Sequence, residues 1–134
     1  MIKPWDELLL KGELDRFKEL KDIRVVFDVG ATTSLEYLDA KPEAEYHLFE
    51  PYPPFYEWLQ EETKTKKNVF VNNYGLGDIE GELGYDPGLQ SFQNNVGIML
   101  PIKTLNWYIK ENDIKRIDFL KIDTEKWDYK VLLG

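Results

Sequence analysis

Apolar positions along this chain change period repeatedly, from helical spacing to continuous runs. "IRVVFDV" is a continuous apolar run, which is typical of a parallel strand that is covered on both faces. The alternation of the two patterns predicts an α/β fold. Before the first strand, the pattern predicts an amphipathic helical region that is interrupted near Gly12 and whose apolar positions are Leu8, Leu9, Leu14, Phe17 and Leu20.

Two helices and two further strands are predicted in the segment that follows the first strand. Thr33 and Glu36 have the spacing of a capping box, which predicts a helix that begins at Ser34 and presents Leu35 and Leu38 to the core. "AEYHLFE" and "NVFVNNYGL" predict the second and third strands. Between them, "PPFYEWLQEETK" predicts a helix with proline in its first turn and with an apolar stripe of Phe55, Trp58 and Leu59.

The rest of the chain begins with its least regular segment. "GDIEGELGYDPGLQSFQNN" is rich in glycine and predicts a hairpin and a loop. "IMLPI" predicts a short edge strand, because Pro101 has no N–H to donate to a ladder. Thr104 is predicted to cap the helix "LNWYIKEN", and "RIDFLKID" predicts a fourth strand. A last helix places Trp127 and Val131 in i, i+4 register.

Composition limits the domain organisation and the partners. The chain has 134 residues and 43% hydrophobic content, enough for a single domain over 1–134, with a helical region at 1–22 and the sheet within 23–134. Its net charge of −8 disfavours nucleic acid as a partner. No apolar run approaches the roughly 20 residues of a membrane span, and the absence of cysteine is compatible with the cytoplasm. No metal-ligand spacing is present, so no metal site is predicted.

The segment "FDVGATTS" contains Asp-x-Gly-x-Thr, which occurs in several kinds of phosphate and cofactor loop. A phosphatase of the haloacid dehalogenase type needs a second aspartate where this chain has Gly30. An actin-like kinase carries this sequence on a β-hairpin, whereas the residues after Thr32 carry a helix signal. Both alternatives are therefore disfavoured, and a strand, a tight turn and a helix that together hold a cofactor remain.

An acidic residue at the end of the second strand narrows the choice of cofactor. Glu50 lies 20 residues after Gly30, where doubly wound folds place an acid that accepts from ribose hydroxyls. A structural alternative is an exposed turn residue before proline. The loop lacks two of the glycines that admit a pyrophosphate, and Asp28 suits a cofactor with an amine or a sulfonium. These conditions predict S-adenosylmethionine.

Five segments resemble one known family, in its order and at about its spacing. They are "FDVGATTS", "HLFEP", "NYGLGDIEGEL", "LPIKTLNWYI" and "RIDFLKIDTEKWDYKVLLG". The chain resembles the FkbM-type S-adenosylmethionine-dependent methyltransferases, within the class I Rossmann-like group. This chain has Thr32 and Ser34 where the family commonly has Asn and Gly, and Lys126 where the family has the Gly of Asp-x-Glu-Gly.

The resemblance implies an S-adenosylmethionine site. It implies that the loop from Asp28 surrounds the methionine part of the cofactor, that Glu50 takes the ribose, and that Gly77 and Asp78 lie near the adenine. Asp123 to Glu125 would close the site after the fourth strand. The implied cofactor-binding residues are Asp28, Gly30, Ala31, Thr32, Glu50, Gly77, Asp78, Asp123 and Thr124.

The implied activity is methyl transfer to the hydroxyl of a small-molecule or saccharide acceptor. Asp123 and Glu125 are the candidate catalytic bases, because they follow a strand at its carboxyl end. Their structural alternative is capping of the helix that follows. His47 is a weaker candidate, because a histidine inside an apolar strand is more often a packing residue. The alternative function is a truncated or vestigial Rossmann-like binding module without catalysis.

The resemblance also predicts how the sheet is ordered and where it stops. Family members continue into further strands, so the expected order here is 3-2-1-4 plus a hairpin, in an incomplete Rossmann-like sheet with helices on both faces. Strand four, around Phe119 to Ile122, would then be an open edge, which natural proteins avoid or cover. We expect either a truncated form or fragment, or self-association through the strand-four edge.

Overall fold

The structure, a computed structural model, describes residues 12–89, 91–93, 97–124 and 128–134. Helices and strands alternate, as the sequence pattern predicts, except for a run of five consecutive strands in the middle of the chain. In chain order the elements are α1 (Glu13–Glu19), β1 (Val25–Val29), α2 (Glu36–Ala40), β2 (Glu45–Phe49), α3 (Pro53–Thr63), β3 (Val69–Asn72), β4 (Gly75–Gly77), β5 (Gly81–Asp86), β6 (Ser91–Gln93), β7 (Ile98–Thr104), α4 (Leu105–Glu111), β8 (Phe119–Ile122) and α5 (Asp128–Leu133).

The main sheet has four strands in the order β3-β2-β1-β8. All of its pairs are parallel, and β1 is paired on both sides, with β2 and with β8. This is the predicted order 3-2-1-4, since β8 is the fourth strand of the sequence pattern. Because the strands are parallel, their carboxyl ends meet at one edge of the sheet, where ligands of open α/β sheets bind.

Helices cover both faces of the main sheet, as predicted. On one face, Phe17 of α1, Leu38 of α2 and Leu59 of α3 are buried in one apolar cluster. On the other face, Tyr108 of α4 and Val131 of α5 belong to a second cluster. The predicted apolar stripes are only partly buried, because Leu20 is 42% exposed and Trp58 is 38% exposed; Leu8, Leu9 and Trp127 lie outside the described residues.

The third predicted strand is in fact two strands in two sheets. β3 ends at Asn72, and the chain then bends so that β4 begins at Gly75 in a second sheet, of order β4-β7-β5-β6. The bend takes the chain over the carboxyl end of the main sheet. Leu76 of β4 is buried in the same cluster as Phe49 of β2, so burial against the main sheet favours the bend.

The second sheet confirms one prediction and bears out another only in part. β5 and β6 form the predicted antiparallel hairpin. The strand predicted at "IMLPI" lies in β7, which is not an edge strand over its whole length, because it lies between β4 and β5. Its pairing with β4 begins only at Ile102, opposite Gly75, so Pro101 precedes the paired stretch. A proline at that place leaves the ladder with β4 intact.

The two predicted helix caps have different outcomes. The Thr104 side chain accepts a hydrogen bond from the Trp107 N–H at 3.0 Å, which confirms this residue as the N-cap of α4. The capping box at Thr33 is wrong, because α2 begins at Glu36 after an N-cap, Leu35, that makes no side-chain cap bond. Thr32 has a left-handed backbone conformation, with φ of 52°. The chain therefore turns at the place where the first helical turn was predicted.

Candidate functional site

A cleft lies at the carboxyl ends of the main-sheet strands. Its polar end comprises Gly30, Thr32, Asp123 and Thr124. Its apolar end comprises Pro51, Gly75, Leu76, Tyr85 and Phe92. Glu50 also lines the cleft and accepts from the N–H of Thr32 with one oxygen and from the N–H of Tyr52 with the other.

The loop after β1 is fixed by three successive backbone amides. Gly30 and Ala31 donate to the carbonyl oxygen of Phe49, at 2.9 and 3.2 Å. The Thr32 N–H donates to Oε1 of Glu50 at 2.9 Å. The end of β2 therefore determines the shape of the loop that follows β1.

Gly30 is required by two features of this loop. Its φ is +82°, a backbone conformation that L side chains rarely adopt. A Cβ on Gly30 would also lie 2.1 Å from the carbonyl oxygen of Asp123. Because the Asp123 N–H donates to the carbonyl of Val29 at 2.9 Å, the ends of β1 and β8 have no space for a side chain between them.

Glu50 connects the two loops that border the cleft. Its side chain is almost fully buried, with 1% exposure, and its second oxygen accepts from the Tyr52 N–H at 2.8 Å. Burial raises the pKa of Glu50 to about 7, although the N–H groups of Tyr52 and Thr32 lower it. A carboxylate has about four lone-pair positions, so Glu50 can still accept from ligand hydroxyls after these two bonds.

Asp28 and Ala31 are buried and are not among the residues that line the cleft. Asp28 is buried in β1, and its Oδ1 is 3.4 Å from Nζ of Lys121 in the neighbouring strand. Burial raises the pKa of Asp28 to about 6 despite the lysine. Ala31 is fully buried in the cluster that contains Tyr37. Both residues therefore contribute to the packing beneath the loop rather than to the lining of the cleft.

Gly77 and Asp78 are also not among the residues that line the cleft. Gly77 is buried in β4 and lies against the backbone of Gly134. Oδ2 of Asp78 is 3.5 Å from Nζ of Lys130 in α5. The structure thus brings these two residues into contact with the last residues of the chain rather than with the other predicted site residues.

Of the candidate bases, Asp123 lines the cleft, next to Thr124 and Gly30. Asp123 is exposed, and Glu125 lies outside the described residues. His47 does not line this cleft: it is buried in β2, where its Nδ1 is 2.6 Å from the hydroxyl oxygen of Tyr108. Burial lowers the pKa of His47, which agrees with its interpretation as a packing residue.

Sequence reasoning missed the apolar end of the cleft. Tyr85 and Phe92 lie opposite each other across the β5–β6 hairpin, in the segment that the glycine pattern indicated as a hairpin and a loop. Pro51 directly follows Glu50, and Gly75 precedes the buried Leu76. The only signal in the sequence was the aromatic residue on each arm of the predicted hairpin.

In the part of the chain that the structure describes, no group of three or more His, Cys, Asp or Glu residues is placed to hold a metal ion. None of the helices in these ranges has the length and apolar character to cross a membrane.

Comparisons with known proteins identify the family. The family model described as the methyltransferase FkbM domain matches residues 28–134. Comparison with curated proteins gave no match. Among solved structures, the fold is similar to the methyltransferase FkbM from Methylobacillus flagellatus KT, with a TM-score of 0.57 and 15% sequence identity over 88% of this chain and 32% of that chain. The chain belongs to the FkbM methyltransferase domain family.

Proposed function

We propose that this domain binds S-adenosylmethionine in the cleft and transfers its methyl group to a hydroxyl of a small-molecule or saccharide acceptor. The observation that carries the proposal is the buried carboxylate of Glu50, which holds the loop after β1 and borders the cleft. An acid at this position of an open α/β sheet is suited to ribose hydroxyls. Membership of the methyltransferase family supports the proposal.

The residues around the cleft suit the different parts of this cofactor. Gly30 lets the ends of β1 and β8 lie close together beside the cleft, because a side chain there would meet the carbonyl of Asp123. Asp123 and Thr124 provide polar groups for the amino-acid part. The bound cofactor supplies a methyl group on a positively charged sulfur. The chain has mainly to align the acceptor with that methyl group, and alignment can contribute roughly 7–11 kcal/mol to the rate.

A hydroxyl acceptor also needs a base for its proton. As the bond from the acceptor oxygen to the methyl carbon forms, the bond from that carbon to sulfur breaks and the hydroxyl proton must leave. The carboxylate of Asp123 lines the cleft and is exposed, so it is placed to take that proton. Glu125 is the second candidate for this role.

Calorimetric titration with S-adenosylhomocysteine tests the binding step. We expect saturable binding by the wild type and a loss of at least about tenfold in affinity for Glu50→Ala, since a carboxylate that accepts from two hydroxyls is removed. Glu43→Ala is the matched control, because Glu43 is an exposed acid just before the same strand. An absence of binding at millimolar ligand, with no thermal shift, would refute the proposal.

A binding module without catalysis is the second candidate function. Thr32 lines the cleft with a β-branched side chain on a left-handed turn, where the family commonly has Asn, so the cofactor loop departs from the family's pattern at the cleft itself. For such a module we expect ligand binding without conversion of S-adenosylmethionine to S-adenosylhomocysteine across a panel of hydroxylated acceptors. Detection of that conversion would exclude it.

A further inference from the structure

The apolar end of the cleft is formed mainly by two aromatic residues of the β5–β6 hairpin. Tyr85 and Phe92 are directly opposite each other in the antiparallel pair. Their ring centroids are 5.4 Å apart and their planes are inclined by 70°, an edge-to-face arrangement that is favourable for aromatic pairs. Tyr85 is 3% exposed and Phe92 is half-buried. The hairpin thus presents an aromatic surface to the cleft.

The ring of Phe92 packs directly against the backbone of Gly75, which has no side chain. A Cβ on Gly75 would lie 2.5 Å from Cε2 and 2.8 Å from Cζ of the Phe92 ring. Such distances are far shorter than van der Waals contact, so any side chain at Gly75 would displace the ring. The position of Phe92 in the cleft therefore depends on a glycine that belongs to another strand of the same sheet.

This aromatic surface is connected to Glu50 through Tyr52. The Tyr52 ring is stacked on the Tyr85 ring, with centroids 5.6 Å apart and planes inclined by 27°. The backbone N–H of Tyr52 donates to Oε2 of Glu50 at 2.8 Å. The aromatic surface and the carboxylate are consequently fixed relative to each other by one residue.

The two ends of the cleft differ in chemistry, and this difference orients a nucleoside that is held at Glu50. Such a ligand carries a planar base on one side of the ribose and a charged amino-acid chain on the other. A charged chain is costly to bury against apolar groups, whereas a planar base gains from contact with aromatic rings. The charged chain therefore belongs at Asp123 and Thr124, and the base at the hairpin.

We propose that Tyr85 and Phe92 of the β5–β6 hairpin form the wall that recognises the adenine base, and that this contact takes the place of one at Gly77 and Asp78. The inference rests on the proposed function, because it assumes that the ribose is held by Glu50. It adds a specificity element that lies on the second sheet, outside the loops at the ends of the parallel strands.

Variants of the hairpin test this assignment by calorimetric titration with S-adenosylhomocysteine. Phe92→Ala weakens binding roughly tenfold, as expected for the loss of one aromatic contact with a base. Gly75→Ala weakens it comparably, because the new methyl group displaces the Phe92 ring. Leu89→Ala is the matched control, because Leu89 lies in the turn between β5 and β6 and is 58% exposed. The affinity of this variant for S-adenosylhomocysteine stays within about twofold of that of the wild type.

A measurement on the wild type gives a test that does not depend on the folding of a variant. In a complex with S-adenosylhomocysteine, we expect nuclear Overhauser effects between the H2 and H8 protons of adenine and the ring protons of Phe92, assigned with selectively labelled phenylalanine. Binding without these effects, or with unchanged affinity in Phe92→Ala, overturns the adenine wall alone. No binding by the wild type overturns the proposed function as well.

Discussion

Thr32 adopts an unusual backbone conformation for a β-branched residue. Its φ of 52° is in the left-handed region, which costs an L-residue roughly 1–2 kcal/mol and which Asn tolerates better than most residues. The hydrogen bond from its N–H to Glu50 holds it there. We predict that Thr32→Asn raises the free energy of unfolding by about 1 kcal/mol.

Urea denaturation measures this gain. The control is Thr65→Asn, since Thr65 is an exposed residue in the turn after α3 and has no positive φ. The free energy of unfolding of the control should change by less than about 0.5 kcal/mol. A destabilised Thr32→Asn would show that the threonine side chain makes a contribution larger than its backbone strain.

Glu50 makes the stability of the domain depend on pH in the opposite direction to most carboxylates. Its pKa rises from its usual 4.5 to about 7 in the folded state, so its contribution to stability is fully present below pH 4.5 and is lost as the pH rises through 7. From pH 5.5 to pH 8.5, we predict that the wild type loses about 2 kcal/mol more of its free energy of unfolding than Glu50→Gln.

Denaturation of both proteins at the two pH values tests this prediction. Asp28, whose pKa is raised to about 6, titrates in the same direction in both proteins, so the difference between them isolates Glu50. If the two free energies changed in parallel, Glu50 would be ionised throughout this pH range.

At the scale of elements, two threonines that looked alike in sequence have different roles. Thr104 accepts from the Trp107 N–H at the start of α4, whereas Thr33 precedes α2 without capping it. Loss of an N-cap costs typically about 1 kcal/mol. We predict that Thr104→Ala lowers the free energy of unfolding by about 1 kcal/mol and that Thr33→Ala changes it by less than about 0.5 kcal/mol.

Thermal and urea unfolding of the Thr104→Ala and Thr33→Ala variants show whether a side-chain cap or tertiary packing fixes the start of α2. An equal loss in the two variants would mean that the Thr33 side chain caps α2 in solution. The comparison is well matched, because the same chemical group is removed before a short helix in each case.

The strands of the main sheet could be predicted because their signal is local. Burial on both faces favours a largely apolar run, which β1 has, and β2 is likewise buried from Tyr46 to Phe49. The capping box and the edge strand could not be judged locally. Glu50 accepts a hydrogen bond from the Thr32 N–H across 18 positions of the chain, and whether Pro101 interrupts the ladder depends on where β4 begins.

The residues of the candidate site divide in the same way, into those with a local signal in the sequence and those without one. Gly30, Thr32, Glu50, Asp123 and Thr124 line the cleft, and all five follow strand ends that the apolar pattern indicates. Tyr85 and Phe92 reach the cleft only because a second sheet carries their hairpin there. That placement depends on packing between sheets, which one sequence does not reveal.

At the scale of the whole molecule, one apolar cluster joins the two sheets. It contains Phe27 and Phe49 of the main sheet together with Leu76 and Ile102 of the second sheet. All four side chains are at most 1% exposed, so separating the sheets would expose a large apolar area. The hairpin is therefore held at a fixed distance from the strand ends.

The free side of β8 is the part of the main sheet where we predict association with another strand. Within the described residues, β8 pairs with β1 and has no partner on its other side. Unpaired backbone groups at a sheet edge bind further strands readily. We predict that the outward-facing amides of β8 become protected from hydrogen exchange as protein concentration rises, in parallel with an increase in sedimenting mass.

Two results would contradict association through this edge. One is a monomer whose outward-facing β8 amides exchange rapidly at every concentration. The other is a monomer in which those amides are protected at every concentration, which would mean that the chain itself covers the edge. The inward-facing amides, which bond to β1, provide the internal reference in each measurement.

Because Glu50 is buried and its pKa is raised, ligand binding should also release protons to the buffer. With a pKa of about 7, the side chain is roughly half protonated at neutral pH, and hydroxyl donors select its ionised form, so binding at pH 7 should release roughly half a proton to the buffer. The heat of titration with S-adenosylhomocysteine should therefore differ between Tris and phosphate, in proportion to their ionisation enthalpies. Identical heats in the two buffers would mean that Glu50 is already ionised before the nucleoside arrives.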